Sequence, residues 1–395
     1  MAEHNQDITR RNFVADAVSA MLLTGGCRSL SNGDSETPKT ELDKARLVAD
    51  SFLSRHPYEN EKYALWWNWA TLWWGVTQLG LADRSSQYID FILKLGEHFK
   101  WGWHEDGNHG YHADSQCIGQ AYLDLALAGV TDKGAKVIRE LEDRIAFKTP
   151  ATDDSLDWSQ RRLRRWKWCD ALFMAPTSFV RMAQWTGDRR YLEFADLEYR
   201  ATADFLFDRD HGFFWRDSRF IGRKGENGKP EFWSRGNGWV FASLAIMLKH
   251  MPGDWPTRGW YIDIFRRMAQ SIKMAQSADG TWHANLLDPE VNGNSPEMSG
   301  TCLYLYGYSW GLNNGIFDEA EYGRTVARAW DMVMAAITPD GRIGYMQRMA
   351  AAPGTAGIDE EAPYGVGVFL AACTEMQNRR NYRSRTYQRD GYAAR

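Results

Sequence analysis

Apolar residues return at helical spacing along most of this chain, as in Leu42, Ala45, Ala49, Phe52 and Leu53, or Phe265, Met268, Ala269, Ile272 and Ala275. Spacing of three and four places such residues on one face of a helix, with polar residues opposite. The pattern predicts twelve helices, near residues 42–55, 62–80, 84–99, 114–128, 131–146, 171–186, 188–207, 236–251, 257–277, 299–315, 318–337 and 362–376. Thr186-Gly187-Asp188 joins two of them by a glycine stop followed at once by a capping aspartate, a tight hinge between antiparallel helices. Turns with an Asp-Gly or His-Gly step return at Asp106-Gly107, His211-Gly212, Asp279-Gly280 and Asp340-Gly341, and the last two are one hairpin apart. No linker-like composition interrupts residues 42–376, so the expectation is an all-α (α/α)6 barrel over residues 41–378 rather than two helical domains. Its inner helices would line a central cavity, and the long aromatic-rich loops of one end would form a cleft.

The ends of the chain break this pattern. Thr9-Arg10-Arg11-Asn12-Phe13-Val14, followed by the mainly apolar run from Ala17 to Leu23, reads as a twin-arginine export signal over residues 1–27. Cys27 is a candidate lipidation site, although Asp16 interrupts the apolar run and Thr24 stands where a lipobox prefers leucine. Residues 28–40 read as a flexible tether, and residues 379–395 as a polar tail. The expected location is the periplasm of a bacterium, or its membrane through a lipidated Cys27, since no later apolar run approaches the ~18 residues of a membrane span. The scattered Cys117, Cys169, Cys302 and Cys373 have no metal-ligand spacing and read as buried small hydrophobes.

Composition narrows the ligand. A net charge of −4 and a pI near 6.2 argue against a nucleic-acid partner, which needs a concentrated basic surface. The one basic run, Arg161 to Arg165, reads as a solvated helix face or as an anion-attracting rim. The 19 tryptophans exceed what a core needs, and indole faces stack on sugar rings.

Four segments carry candidate chemistry. In Trp166-Lys167-Trp168-Cys169-Asp170 a carboxylate sits between tryptophans and the apolar run Ala171 to Ala175. Aromatic walls strip water from a carboxyl group and raise its pKa, as a general acid requires; the plainer reading is a helix cap. In Phe232-Trp233-Ser234-Arg235-Gly236-Asn237-Gly238-Trp239 an arginine between tryptophans suits a sugar carboxylate, while the same residues could simply pack a helix start. Asp114, in Tyr111-His112-Ala113-Asp114, repeats the motif of an aspartate at a helix start. Ser299 and Thr301, after Pro296-Glu297, place two hydroxyls where a helix N-terminus favours anions.

Together these segments resemble the unsaturated uronyl hydrolases of glycoside hydrolase families 88 and 105, from about Trp66 to Glu375. Trp168 to Pro176, Phe232 to Trp239, Asp279-Gly280-Thr281-Trp282 through Leu287-Asp288-Pro289, Glu297 to Thr301 and Gly311 to Gly315 carry the resemblance. It implies an (α/α)6 barrel with no metal or organic cofactor, Asp170 as the principal catalytic residue and Asp114 as the second aspartate of the site. Trp168 would line the sugar subsite, Trp233, Arg235 and Trp239 would surround the uronate, and His283, Ser299 and Thr301 would complete the substrate-binding set. Arg216, in Gly212-Phe213-Phe214-Trp215-Arg216, stands where family 105 members often carry histidine. The implied reaction removes a 4,5-unsaturated uronic acid from the non-reducing end of lyase-generated oligosaccharides, rhamnogalacturonan or pectin fragments being favoured. An inverting glycosidase on saturated sugars, with Asp170 and Asp114 as acid and base, and a non-catalytic sugar-binding lipoprotein are the competing expectations.

Overall fold

The computed structural model describes residues 40–105, 110–148, 155–158 and 165–393, with side chains to residue 381. The export signal, Cys27, the tether up to residue 39, the Asp106-Gly107 turn and most of the basic run at 161–165 lie outside the described residues.

Among the described residues fourteen α-helices follow in the order α1 Glu41–Arg55, α2 Trp67–Asp83, α3 Ser86–His98, α4 Ala113–Gln116, α5 Gly119–Leu127, α6 Lys133–Asp143, α7 Ala171–Met174, α8 Pro176–Thr186, α9 Arg190–Leu206, α10 Ser234–His250, α11 Arg258–Met274, α12 Met298–Asn313, α13 Glu319–Ala335 and α14 Pro363–Ala393. Each of the twelve expected helices is present, two of them split. Pro176 splits one of these: lacking an N–H, it ends α7 and opens α8 as a first-turn residue. The last helix runs on to Ala393, through the segment read as a polar tail.

Burial separates two rings. In α10 every residue from Ser234 to Leu248 is buried, and in α12 every residue from Met298 to Gly311. Helices apolar all round belong inside. By contrast α1 buries only the stripe Ala45, Val48, Ala49 and Phe52, and α11 only Tyr261, Ile264, Phe265, Met268, Ala269 and Ile272. The inner helices α2, α5, α8, α10, α12 and α14 pack in sequence, and α14 closes the ring against α2; α3, α6, α9, α11 and α13 each pack on the inner helix of their own neighbourhood, and α1 covers the closing seam. This is an (α/α)6 barrel.

The seam between α2 and α14 needs glycine. A Cβ on Gly75 would stand 2.1 Å from the Gly367 carbonyl oxygen, and one on Gly367 would stand 2.3 Å from that of Thr71. The first and last inner helices therefore touch backbone to backbone, a contact that any side chain would pry open.

All inner helices run the same way, so the loops entering α7, α10, α12 and α14 gather at one end of the barrel. Short backbone links knit them: Cys169 N–H donates to Arg216 O at 2.8 Å, Ser234 N–H to Ala284 O at 2.8 Å, and Met298 N–H to Tyr345 O at 2.8 Å. A two-residue hairpin, β1 Phe207–Asp208 with β2 Phe213–Phe214, leads into Trp215 and Arg216. Asn237 fixes it, accepting from Phe214 N–H at 2.7 Å and donating to Phe214 O at 3.0 Å.

Candidate active site

Asp170 lies at this end, immediately before α7, and is 9% exposed. It has helical backbone angles and its side chain caps nothing, which removes the helix-cap reading. Its Oδ2 instead accepts from the Cys169 thiol at 3.4 Å and faces Arg216 Nε at 3.7 Å. Burial pushes its pKa above the ordinary carboxylate value, against the opposing pull of the Arg216 and Arg235 guanidiniums. Trp168, two residues before it in the chain, is buried with its ring 4.9 Å from His112 and 6.0 Å, edge-on, from Trp158. Close approach of the neighbouring helix depends on Gly236, where a Cβ would meet Cys169 Sγ at 3.0 Å.

Asp114 belongs to the same end through His112. Its N–H donates to His112 Nδ1 at 3.2 Å, and its Oδ2 lies 3.7 Å from that nitrogen, with 14% of the side chain exposed. His112 packs between Trp66, at 5.3 Å, and Trp168, and α4, which carries Asp114, touches α7.

The two arginines differ in kind. Arg235 is wholly buried between the rings of Trp233 and Tyr364, 4.6 and 4.9 Å from its guanidinium carbon. Its Nη1 and Nη2 donate to the carbonyls of Gln347, at 2.7 Å, and Arg348, at 3.0 Å, leaving only Nε without a hydrogen bond. It is therefore no open fork. Arg216, 13% exposed, reaches the Asp170 carboxyl with Nε and holds Asp217 with Nη1. Asp217 also binds Arg219 bidentately, at 2.9 and 2.8 Å; burial alone would raise its pKa, but the two arginines hold it below the usual value. Trp239, fully buried, forms the floor: its ring is 4.6 Å from Phe173 and 6.5 Å from Tyr364.

Three expected substrate-binding residues are engaged elsewhere. Ser299 Oγ donates to Glu297 Oε1 at 2.6 Å, and Thr301 Oγ1 to Glu297 O at 2.9 Å; both side chains are fully buried. The N-terminus of α12 does hold an anion, but that anion is Glu297 itself, which accepts from Ser299 N–H at 3.2 Å, Gly300 N–H at 2.7 Å and Gln347 N–H at 3.1 Å. His283 binds Asp279 Oδ2 and Pro289 O, each at 2.9 Å, so both ring nitrogens close its own loop. Burial opposes its charge, and those two partners raise its pKa nonetheless.

Sequence reasoning missed Asp217, Trp158, Gln347 and Tyr364. Gln347 links the site's two halves, accepting Trp233 Nε1–H on its side chain at 2.9 Å and both Arg235 and Tyr364 on its carbonyl. Nothing near it in sequence signals this, since Trp233 and Arg235 are more than a hundred residues away. A groove of about 1110 Å³ opens beside α11, lined by His211, Arg267, Ser271 and Tyr322 among others, and contains none of the candidate residues. Among the described residues no group of three or more His, Cys, Asp or Glu is arranged to hold a metal ion.

The chain matches the model of glycosyl hydrolase family 88 over residues 44–380. It is 34% identical over 328 residues to an unsaturated 3S-rhamnoglycuronyl hydrolase of Alteromonas sp. (strain LOR), covering 80% of this chain and 78% of that protein. An enzyme of the same name from Formosa agariphila is 32% identical over 383 residues, 93% of this chain and 98% of the relative. A solved glycosyl hydrolase family 88 structure from Bacteroides vulgatus superposes with a TM-score of 0.77 at 29% identity, covering 87% of this chain and all of that one.

Proposed function

This chain belongs to glycoside hydrolase family 88, and from that premise we propose that it removes a 4,5-unsaturated uronic acid from the non-reducing end of lyase-generated oligosaccharides. The observation that carries the reading is a buried carboxyl group, Asp170, whose Oδ2 faces Arg216 Nε at 3.7 Å and whose pKa burial raises against the pull of that guanidinium.

The substrate's C4=C5 bond is an enol ether conjugated to the C6 carboxylate, so it reacts by protonation. Protonated Asp170 donates to C4, leaving positive charge shared between C5 and the ring oxygen. The resulting Asp170 carboxylate takes a proton from water as that water adds to C5. The product is a hemiketal, which opens and releases the neighbouring sugar. One aspartate thus serves as acid and then as base. Arg216 is suited to the substrate carboxylate, while Arg235 contributes charge from beneath without an open face. Trp168 supplies the desolvating wall, and Asp114 lies beside it through His112. The names of the two relatives support rhamnose as the neighbouring sugar.

The ultraviolet absorbance of the conjugated double bond tests this directly. The enzyme should bleach it on unsaturated rhamnoglycuronyl oligosaccharides and leave saturated analogues intact. Cleavage of the saturated analogues would favour the inverting glycosidase, and binding without bleaching would favour a sugar-binding protein.

We also propose export through Arg10-Arg11 and the apolar run after them, to the periplasm or to a membrane anchor at Cys27. Replacing both arginines by lysine should leave precursor in the cytoplasm. Unimpaired export of that variant would remove the twin-arginine reading.

A further inference from the structure

Asp217 is a fully buried carboxylate that the proposed reaction does not use. It accepts from Arg216 Nη1, from Arg219 Nε and Nη2 at 2.9 and 2.8 Å, and from Arg219 N–H at 3.0 Å. Arg219 alone would balance its charge, because that guanidinium binds both carboxylate oxygens and lies 4.3 Å over the Trp158 ring, with 49% of the side chain exposed. The bond to Arg216 is therefore more than neutrality requires.

The effect of that bond shows at the other edge of Arg216. Its Nε is buried and makes no hydrogen bond, although Asp170 Oδ2 lies 3.7 Å away. A charge-assisted N–H···O bond closes to about 2.7–2.9 Å, so the pair stops roughly an ångström short of contact. The two segments are joined through their backbones, since Trp168 pairs with Asp217 and Cys169 N–H donates to Arg216 O at 2.8 Å. The gap is thus set by the Arg216 side chain, which Asp217 holds at Nη1 and the Trp158 ring supports at 4.8 Å.

Arg216 stands between two unlike carboxyls. Burial would raise the Asp217 pKa, and Arg219 and Arg216 hold it below the usual value; burial raises that of Asp170 against Arg216 and Arg235. A guanidinium closing on Asp170 would undo the second balance, because an adjacent opposite charge lowers an aspartate pKa by about 1–3 pH units. The other groups around Asp170 leave Arg216 to Asp217: the Cys169 thiol donates to Asp170 at 3.4 Å, Arg235 of α10 is bound to carbonyls, and α4, which packs on α7, carries Asp114 beside His112.

We propose that Asp217 is a positioning residue for the reaction, holding the Arg216 guanidinium short of an ion pair with Asp170 and so leaving Asp170 free to carry the proton it donates; this rests on the uronyl hydrolase reading above. Arg219 tempers that hold, because it shares the same two oxygens.

The test is the alkaline limb of kcat/KM, which reports the free enzyme, in Asp217→Asn and Arg219→Met, each alone and combined with Arg216→Met. Asp217→Asn releases Arg216 toward Asp170 and should move the limb to lower pH by about one unit. Arg219→Met, a change at a half-exposed side chain, leaves Asp217 to Arg216 alone and should move the limb to higher pH. Both shifts should vanish in the Arg216→Met background. If Asp217 merely tied its own loop, its loss would lower activity at every pH and leave the limb in place, and that result overturns the proposal. Shifts that survive in Arg216→Met overturn it too, because Asp217 would then act on Asp170 directly. Should Asp217→Asn fail to fold, Arg219→Met and its double variant decide alone. If the wild type bleaches no unsaturated substrate, the uronyl hydrolase reading fails, and infrared titration of the carboxyl band missing from Asp170→Asn still reads the same shifts. Identical titration in every variant overturns the proposal, and opposite shifts in Asp217→Asn and Arg219→Met support it.

Discussion

Asp170→Asn should lose turnover by about 10²–10⁴-fold or more while binding the unsaturated oligosaccharide nearly as well as the wild type, because asparagine keeps the shape but neither donates nor regains the proton. The structure sharpens what its stability should do. A side chain that capped α7 would make Asp170→Asn neutral or slightly costly; this side chain caps nothing and sits buried beside Cys169 and Arg216. Its folded pKa is raised by burial from the ordinary value of 3.8. The folded state therefore holds this proton more tightly than the unfolded chain does. The corresponding stabilisation is complete in acid below the unfolded value and is lost as pH rises through the folded value. Asparagine has no such proton to lose. Relative to the wild type, the variant should gain stability between acid and neutral pH, as read by thermal midpoints across that range. Near-native bleaching by Asp170→Asn would overturn the mechanism, and a variant that is less stable than the wild type at neutral pH would contradict the desolvated carboxyl.

The same raised pKa shapes the rate. With protonated Asp170 as the proposed donor, activity should hold into a range where an ordinary aspartate is already ionised and then fall on the alkaline side. Removing the opposing cation should extend that limb: in Arg216→Met the carboxyl loses the charge that draws its pKa down, and its proton should persist to higher pH.

How much of this was legible in sequence follows from which contacts are local. The helices were legible because apolar spacing is a local signal, and the barrel because twelve such helices without a linker have few ways to bury their inner faces. The burial of Asp170 was legible because the apolar run after it adjoins it in the chain. What spacing could not reveal is which polar groups are already satisfied. Ser299 and Thr301 looked like donors for a ligand, and Glu297, two residues from the nearer, occupies them. Arg235 looked like an open fork until carbonyls from Gln347 and Arg348 closed it. In each case the deciding partner is either a neighbour whose rotamer sequence does not fix or a backbone atom more than a hundred residues away.

Glu297 is where that hidden accounting should have its largest effect on stability. Its two oxygens accept four bonds: Oε1 from Ser299 Oγ, Ser299 N–H and Gln347 N–H, and Oε2 from Gly300 N–H. The group is fully buried, so no water replaces a lost acceptor. Glutamine supplies one acceptor oxygen and one NH₂. Whichever way its amide turns, at least one buried donor then faces another donor, and α12 loses the negative charge at its N-terminus. Glu297→Gln should cost on the order of 3–5 kcal/mol, the range for breaking a buried, hydrogen-bonded charge. The thermal midpoint should fall accordingly. Because Gln347 N–H is one of the four donors, the damage reaches the site. Gln347 accepts from both Trp233 and Arg235, and its carbonyl also takes the Tyr364 hydroxyl. A segment loosened at Gln347 releases the floor proposed to lie beneath the sugar, so KM should rise in the surviving folded enzyme while the pH dependence proposed for Asp170 keeps its shape. An unchanged midpoint would mean that Glu297 does not tie α12 to residues 345–347, and a lowered midpoint with wild-type KM would separate that tie from the sugar site.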